Sequence, residues 1–119
     1  MKRVGIIGEK IAVSYLKKRG YKILAKNFKL KCGEIDIVAR EGEYICFVEV
    51  KTRTSNAFAQ PFESVDYIKQ KKMQSAALIW LNMHNLDDAL CRFDIVSIIL
   101  NKNYKLIEIN IIKDAFWAE

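Results

Sequence analysis

The stretch FVEVKTR, from Phe47 to Arg53, combines the pattern of a buried strand with two charged side chains, Glu49 and Lys51. Taking a carboxylate or an ammonium out of water is costly unless the charge is paired or binds a metal. Side chains alternate along a strand, so Glu49 and Lys51 share one face while Val48 and Val50 share the other. The stretch therefore predicts a buried strand with a polar site on one face.

The preceding strand-like segment supplies a third charged group on the same side. It reads GEIDIVA, residues 33–39, and its Ile35 and Ile37 point away from the face that carries Asp36. A short turn separates this segment from FVEVKTR, and whether it closes over two or four residues, Asp36 falls directly opposite or diagonal to Glu49. We therefore expect Asp36, Glu49 and Lys51 to cluster on one side of a hairpin.

Two carboxylates and one lysine on a half-buried sheet favour a metal site. Like charges placed opposite one another repel, and Lys51 alone cannot neutralise both acids. Mg²⁺ takes one or two carboxylates, waters and substrate phosphate oxygens, so Asp36, Glu49 and the backbone carbonyl of Val50 are the expected ligands of Mg²⁺ or Mn²⁺. The alternative is structural: Glu49 and Lys51 form an ion pair at a sheet edge, and Asp36 is merely exposed.

The remaining hydrophobic periods predict an alternating order of elements. Gly20 is a natural end for the first helix. The predicted elements are a helix over Gly5–Arg19, strands over Tyr21–Leu30, Glu34–Arg40 and Tyr44–Thr52, a helix over Ser64–Met83, and strands over Cys91–Leu100 and Tyr104–Ile112. The second helix has an expected buried set of Val65, Ile68, Met73, Ala76, Ala77, Trp80 and Leu81.

This order predicts an α/β fold. The first three strands should form an antiparallel meander, and a crossover through the second helix can bring the fourth strand in parallel to the third. The expected architecture is a mixed sheet of about five strands flanked by helices, in a single domain over residues 1–119.

Composition narrows the class of protein. The chain has 119 residues, 51% of them hydrophobic and 29% charged, so a disordered chain is excluded. Its three cysteines show no CxxC spacing, which disfavours a disulfide framework or a zinc knuckle. No stretch has the length of a signal peptide or of a membrane span, and we expect a cytoplasmic protein.

Positive charge is concentrated at the start of the chain. Residues 1–31 hold ten Lys or Arg and one acid, Glu9, although the net charge of the whole protein is only +6. Such a distribution is typical of a polyanion partner, nucleic acid before membrane, although a solvated lysine-rich helix face would look the same. The residues that we expect to bind nucleic acid are Lys10, Lys26, Lys29, Lys31 and Arg53.

These motifs resemble a known family. The spacing of Asp36 to Glu49-Val50-Lys51 resembles the PD-(D/E)XK nuclease signature, with Ile35 where that signature has Pro. More closely, the chain resembles the small bacterial YraN-like proteins, whose fold is similar to that of archaeal Holliday junction resolvases. The resemblance spans nearly the whole chain, through GEIDIVA, FVEVKTR and RFDI from Arg92. It implies a restriction-endonuclease-like fold.

The resemblance also implies roles for individual residues. Asp36 and Glu49 would be metal ligands, Lys51 the catalytic lysine, and Glu9 a helix carboxylate that reaches the metal or its water. Glu34 and Lys69 match family positions whose expected roles are supporting ones. Glu9 has a structural alternative, an acid near a helix N-terminus that is stabilised by the helix dipole.

The combined expectation is a Mg²⁺- or Mn²⁺-dependent endonuclease that hydrolyses phosphodiester bonds in DNA, with branched or Holliday-junction-like DNA as the substrate. One alternative is a binding module that keeps the fold and the basic surface without useful turnover. Another is a protein adaptor that uses the aromatic residues Phe116 and Trp117. Trp80, Phe116 and Trp117 are typical of core or interface anchors, and an exposed aromatic tail could also form a homodimer contact.

Overall fold

The computed structural model describes residues 2–55 and 65–116, and the side chain of Lys2 is not described. Its elements are α1 (Lys2–Lys18), β1 (Lys22–Leu30), β2 (Gly33–Glu41), β3 (Tyr44–Thr54), α2 (Tyr67–Met83), β4 (Cys91–Leu100) and β5 (Leu106–Phe116). This is the predicted order of two helices and five strands.

The five strands form one mixed sheet, and β3 lies at its centre. The spatial order is β1-β2-β3-β4-β5. The pairs β1–β2, β2–β3 and β4–β5 are antiparallel, whereas β3 and β4 run parallel with Glu49 opposite Ile95. The predicted α/β class and the parallel crossover through α2 are confirmed. Because β3 is central, a charged residue on it cannot lie at a sheet edge.

The two helices cover opposite faces of the sheet, and each buries its own hydrophobic cluster. Ile45 and Phe47 of β3 belong to the cluster that contains Met73, Trp80 and the other buried residues of α2. Cys46 and Val48 belong to the cluster that contains Ala12 and Leu16 of α1. Alternation along β3 thus sends successive side chains to different helices, which explains why this strand is apolar on both faces.

Several element boundaries differ from the predicted ones. Helix α1 begins at Lys2, three residues before Gly5, and ends at Lys18 with Gly20 at a φ of 92°. Helix α2 begins after Asp66, whose side chain accepts a 2.8 Å hydrogen bond from the Lys69 amide. Ser64, the predicted start of α2, lies outside the described residues.

The predicted buried set of α2 contains one error. Ile68 is 69% exposed, whereas Val65, Met73, Ala76, Ala77, Trp80 and Leu81 are buried. Ile68 lies about 140° around the helix from Met73, on the side away from the sheet. An apolar residue at the margin of a helical stripe was thus assigned to the wrong face.

Strand β5 begins and ends later than predicted. The turn before it extends through Lys105, because the Asn101 side chain accepts from the amides of Asn103 and Lys105 at 2.8 and 3.0 Å. At the other end, Phe116 is buried and its ring stacks on Phe93 with centroids 4.8 Å apart. Phe116 is therefore a core residue and is not available for an exposed aromatic tail. Trp117 lies outside the described residues.

The described part of the chain contains no disulfide bond and no candidate membrane-spanning helix. Cys32, Cys46 and Cys91 are free thiols. Among residues 2–55 and 65–116, no helix has the length and hydropathy needed to cross a membrane.

A glycine sets the distance between α1 and the central strand. A Cβ atom added at Gly8 would lie 1.9 Å from the Thr52 Oγ1 and 2.8 Å from the Thr52 Cβ. Since Thr52 is on β3, only glycine lets α1 approach the sheet this closely at this point. The next residue along α1 is Glu9.

We expect Gly8→Ala to lower the free energy of unfolding by about 1–3 kcal/mol, because the new methyl group overlaps Thr52. Gly5→Ala is the matched control, since nothing lies within 4 Å of a Cβ at Gly5. Alanine favours the helix over glycine, so the control should be neutral or more stable by up to about 1 kcal/mol. Urea unfolding measures both, and equal effects of the two substitutions would contradict the close approach.

Candidate metal centre

The candidate centre lies where the pairing between β2 and β3 stops. The ladder of paired residues runs from Glu41 and Tyr44 to Ile37 and Val48. One step further along this register, Asp36 lies opposite Glu49. Instead of a backbone ladder bond, the Val50 amide donates a 2.8 Å hydrogen bond to Asp36 Oδ2.

The apolar neighbours of Asp36 show why its carboxylate can turn toward β3. Ile35 packs in the cluster under α2, whereas Ile37 packs in the cluster under α1. Strict alternation would send both side chains to the same face. Regular pleating is therefore interrupted at Asp36, and the carboxylate takes the place of a main-chain acceptor for Val50.

Glu49 is buried with one oxygen paired and one oxygen unpaired. It is 4% exposed, and its Oε2 lies 2.9 Å from the Lys69 Nζ at the first turn of α2. Its Oε1 is buried and has no hydrogen-bond partner among the described residues. The structural alternative of an edge ion pair between Glu49 and Lys51 is wrong, because β3 is central and Glu49 pairs with Lys69.

Burial and the neighbouring charges shift the pKa values of Asp36 and Lys69. Burial is the largest effect, and with the nearby Glu49 carboxylate it raises the pKa of Asp36 to about 8, while the hydrogen bond from Val50 opposes the rise. The pKa of Lys69 is also raised, because the hydrogen bond and charge of Glu49 outweigh the opposing effect of burial. Metal-free, the pair Asp36 and Glu49 therefore favours holding a proton.

Glu9 adds a third acid near the centre. It is half-buried in the middle of α1, and its charge contributes to the raised pKa of Asp36. Because α1 begins at Lys2 and has no acid in its first turn, the helix-dipole explanation for Glu9 is wrong. Across residues 2–55 and 65–116, no three His, Cys, Asp or Glu side chains are grouped closely enough to hold a metal by themselves.

Lys51 and Glu34 occupy the margins of the centre. Lys51 is half-buried on the α2 side of β3 and makes no ion pair within the described residues. Glu34 is exposed, and its charge contributes to the raised pKa of Lys69. Lys69, for which only a supporting role was expected, is therefore in direct contact with Glu49. Glu34 does not take part in this ion pair.

Three clefts surround the centre, and each contains one of its residues. A cleft of about 270 Å³ between α1 and β1 holds Glu9, Lys10 and Lys26. A second of about 330 Å³ between β1, β2 and α2 holds Lys69, Lys29 and Lys31. A third of about 230 Å³ holds Lys51 and Arg53. All five residues expected to bind nucleic acid thus line clefts around the centre.

A second buried carboxylate, Asp94, has no predicted role from the sequence. It is fully buried at 0% exposure and accepts hydrogen bonds from Arg92 Nε at 3.0 and 3.2 Å. It also accepts from the Tyr21 hydroxyl at 3.4 Å and the Asp114 amide at 2.9 Å. Arg92 also pairs with Glu41, whose carboxylate accepts from Lys113 at 3.0 Å. In the sequence, the only sign of this network is the pair of charged residues, Arg92 and Asp94, inside the apolar strand segment RFDI.

The donor set at the centre fits a hard divalent cation. The unpaired Oε1 of Glu49 and the Asp36 carboxylate are the ligand type that Mg²⁺ prefers. The N–H and C=O of one residue point to the same side of a strand, so the Val50 carbonyl faces β2 beyond the end of the ladder, next to Asp36. Asp36, Glu49 and Val50 would hold the ion, leaving positions for water and a phosphate oxygen.

Fold and centre together define the class of protein: a small α/β domain with an acidic centre on the middle strand of a mixed sheet and lysine-lined clefts around it. The chain belongs to the family described as "Uncharacterised protein family UPF0102", whose sequence profile matches residues 8–98. This is the YraN-like family that the motifs resemble.

Curated relatives support this assignment over almost the full length. A UPF0102 protein of Geotalea uraniireducens is 51% identical over 115 residues, covering 97% of this chain and 90% of the relative. A UPF0102 protein of Caldanaerobacter subterraneus is 49% identical and covers 97% of this chain and 95% of the relative. One from Caldicellulosiruptor saccharolyticus is 42% identical, with 97% and 98% covered.

The raised pKa of Asp36 predicts a pH dependence of stability. In EDTA, the folded protein holds one more proton than the unfolded chain between about pH 4 and pH 8. Its free energy of unfolding should therefore fall as pH rises through this window, by up to about 1.4 kcal/mol per pH unit. Asp36→Asn removes the titrating group and keeps an acceptor for Val50, so its stability should fall less steeply.

Urea unfolding between pH 5 and pH 8 tests this difference in slope. Glu34→Gln is the control, because it removes an exposed carboxylate from the same strand and should keep the wild-type slope. Equal slopes for the wild type and Asp36→Asn would show that Asp36 titrates normally in the folded protein.

Proposed function

We propose that this protein is a metal-dependent nuclease that hydrolyses phosphodiester bonds in DNA, with branched, Holliday-junction-like DNA as the substrate class. The observation that carries the proposal is the buried, unpaired Oε1 of Glu49 beside the Asp36 carboxylate. A buried carboxylate oxygen without a partner is costly, and a divalent cation offsets that cost. The lysine-lined clefts supply the electrostatic surface that a polyanion needs.

A divalent cation bound by Asp36, Glu49 and the Val50 carbonyl would supply Lewis acidity for the phosphoryl group and a lowered pKa for bound water. In hydrolysis, water adds to phosphorus and the bond to the leaving sugar oxygen breaks, giving a terminal phosphate and a free hydroxyl. Lys51 donates a hydrogen bond to the attacking water or to a phosphoryl oxygen whose negative charge increases in the transition state.

Lys69 and Glu9 act on the ligands. Lys69 holds Glu49 Oε2 by its 2.9 Å contact, which leaves Oε1 for the cation and fixes the rotamer of the carboxylate. Glu9, which follows Gly8 on α1, would supply a carboxylate that accepts a hydrogen bond from a water at the centre. Lys10 and Lys26 on one side and Lys29 and Lys31 on the other bind the nucleic-acid backbone.

A second function, nucleic-acid binding without turnover, is favoured by the same clefts. Eight Lys or Arg residues line them, and this arrangement would remain useful if the centre were catalytically weak. Metal dependence separates the two functions, because only the nuclease requires the cation at Glu49.

The decisive assay is cleavage of labelled four-way junction, flap, duplex and single-stranded DNA in Mg²⁺ or Mn²⁺. We expect cleavage by the wild type, its loss in EDTA, and a loss of at least about 100-fold in Glu49→Gln and in Lys51→Met. Lys102→Gln removes an exposed lysine of the β4–β5 turn and should cleave like the wild type. Cleavage that survives in Glu49→Gln would indicate a contaminant; binding without cleavage by the wild type would favour the second function.

Metal binding can be tested without any substrate. Mg²⁺ that binds only the folded protein raises its thermal midpoint as its concentration exceeds the dissociation constant. We expect this rise in the wild type and in Lys102→Gln, and its absence in Glu49→Gln and Asp36→Asn. A rise of the same size in all four proteins would place the cation elsewhere.

A further inference from the structure

The third cleft contains a residue that neither the metal centre nor the basic patches explain. This cleft of about 230 Å³ is lined by Lys51, Thr52, Arg53 and Ser97. Ser97 lies in β4 within the run IVSIIL, residues 95–100, where its neighbours Val96 and Ile98 are fully buried. A hydroxyl in the middle of such a run needs a reason.

Ser97 faces the same side of the sheet as Glu49 and Lys51. The parallel register pairs Ser97 with Lys51 and places Ile95, which packs under α2, beside Glu49. Neighbouring strands are about 4.8 Å apart. The Ser97 side chain is therefore within one strand spacing of Lys51, on the face that carries Glu49.

The hydroxyl of Ser97 is directed at the cleft. Ser97 is 7% exposed, and no described residue makes a hydrogen bond with its side chain. Among the described residues, Glu49 Oε1 is the only side-chain oxygen or nitrogen that is fully buried without a partner. The Ser97 oxygen has no partner either, so it must be accessible to solvent. The small exposed fraction of Ser97 thus includes the hydroxyl, which lines the cleft as a hydrogen-bond donor.

The charge of the cleft suits an anion. Lys51 and Arg53 lie on the same face of β3, and no acid is among the described residues that line this cleft. Two cations and a hydroxyl are the groups with which proteins contact backbone phosphates. Arginine and serine together can bind such an oxyanion through several donors.

The position of the cleft selects which phosphate it can take. Residues two apart on a strand are about 6.6 Å apart along it, so Lys51 lies one such step from Glu49 and Arg53 lies two steps away. A phosphate bound by Arg53 and Ser97 is therefore not the one at the cation. Such a phosphate would belong to a neighbouring nucleotide of the same strand.

We propose that Arg53 and Ser97 form a binding site for the backbone phosphate next to the scissile one. This proposal rests on the proposed nuclease function, because that function defines which phosphate is the scissile one. The affinity of the site for nucleic acid can nevertheless be measured without hydrolysis. The Ser97 hydroxyl donates to a phosphate oxygen and Arg53 supplies the charge. The strand then crosses β3 and β4 with Lys51 between the two phosphates.

The experiment measures the binding of fluorescein-labelled single-stranded DNA and four-way junction by anisotropy, in EDTA and at several salt concentrations. We expect Ser97→Ala to weaken binding about fivefold with an unchanged salt dependence, because one hydrogen bond to a charged group is lost. Arg53→Gln should weaken binding and reduce the slope of log affinity against log salt by about one. Ser75→Ala, on the exposed side of α2, and Lys102→Gln are matched controls that should bind like the wild type.

A second readout locates the phosphate on the protein. In amide NMR spectra of the full chain, a thymidine trinucleotide should shift the signals of Ser97 and Arg53, and these shifts should shrink in Ser97→Ala. Wild-type affinity of Ser97→Ala, or shifts confined to other clefts, would overturn the site. If the wild type cleaves no DNA but Ser97→Ala weakens binding, the site stands and the nuclease fails. Cleavage by the wild type with unchanged binding by Ser97→Ala overturns the site alone.

Discussion

The burial of Glu49 in the central strand is the constraint on which the site depends. A carboxylate at 4% exposure can be tolerated only if both of its oxygens are compensated. Lys69 compensates one of them from the first turn of α2, so the position of that helix is coupled to the charge on β3. The other oxygen has no donor among the described residues, and the nearby Glu49 carboxylate helps to raise the pKa of Asp36, so the metal-free pair favours holding a proton. Helix α2 and the end of the β2–β3 ladder both lie next to this one side chain.

On the opposite face of the sheet, helix α1 packs closely against the same central strand. Gly8 allows the helix to lie against Thr52, which is the neighbour of Lys51 along β3. Thr52 and Lys51 point to opposite faces, so the contact that fixes α1 also supports the segment that carries the lysine. Glu9 follows Gly8 on this helix, and its charge contributes to the raised pKa of Asp36. A similar close approach occurs at Gly33, where a Cβ would lie 2.3 Å from the Lys72 carbonyl oxygen of α2.

Sequence reasoning predicted the fold and the clustering of the acids because both follow from periodicity. Alternation along residues 33–39 and 47–53 fixes which side chains share a face, and the pairing of Asp36 with Glu49 holds in either register. It could not predict that the ladder stops at Ile37, because that depends on the packing of Ile35 under α2. It did not show that Lys69 contacts Glu49, since α2 is separated from β3 by a connection whose path has no local pattern. It also gave no role to Asp94, whose partners Tyr21, Arg92 and Asp114 come from three different parts of the chain.

Asp94 offers an internal comparison for Glu49. Both are buried acids on adjacent central strands of one sheet, one at 0% and the other at 4% exposure. Around Asp94 the fold supplies Arg92, the Tyr21 hydroxyl and a backbone amide, so that both carboxylate oxygens have donors. Around Glu49 the described residues supply one lysine and a second acid, and one oxygen is left without a donor. The same fold can therefore satisfy a buried carboxylate fully. That it does not do so at Glu49 supports the proposed cation, whose positive charge would offset both Glu49 and Asp36.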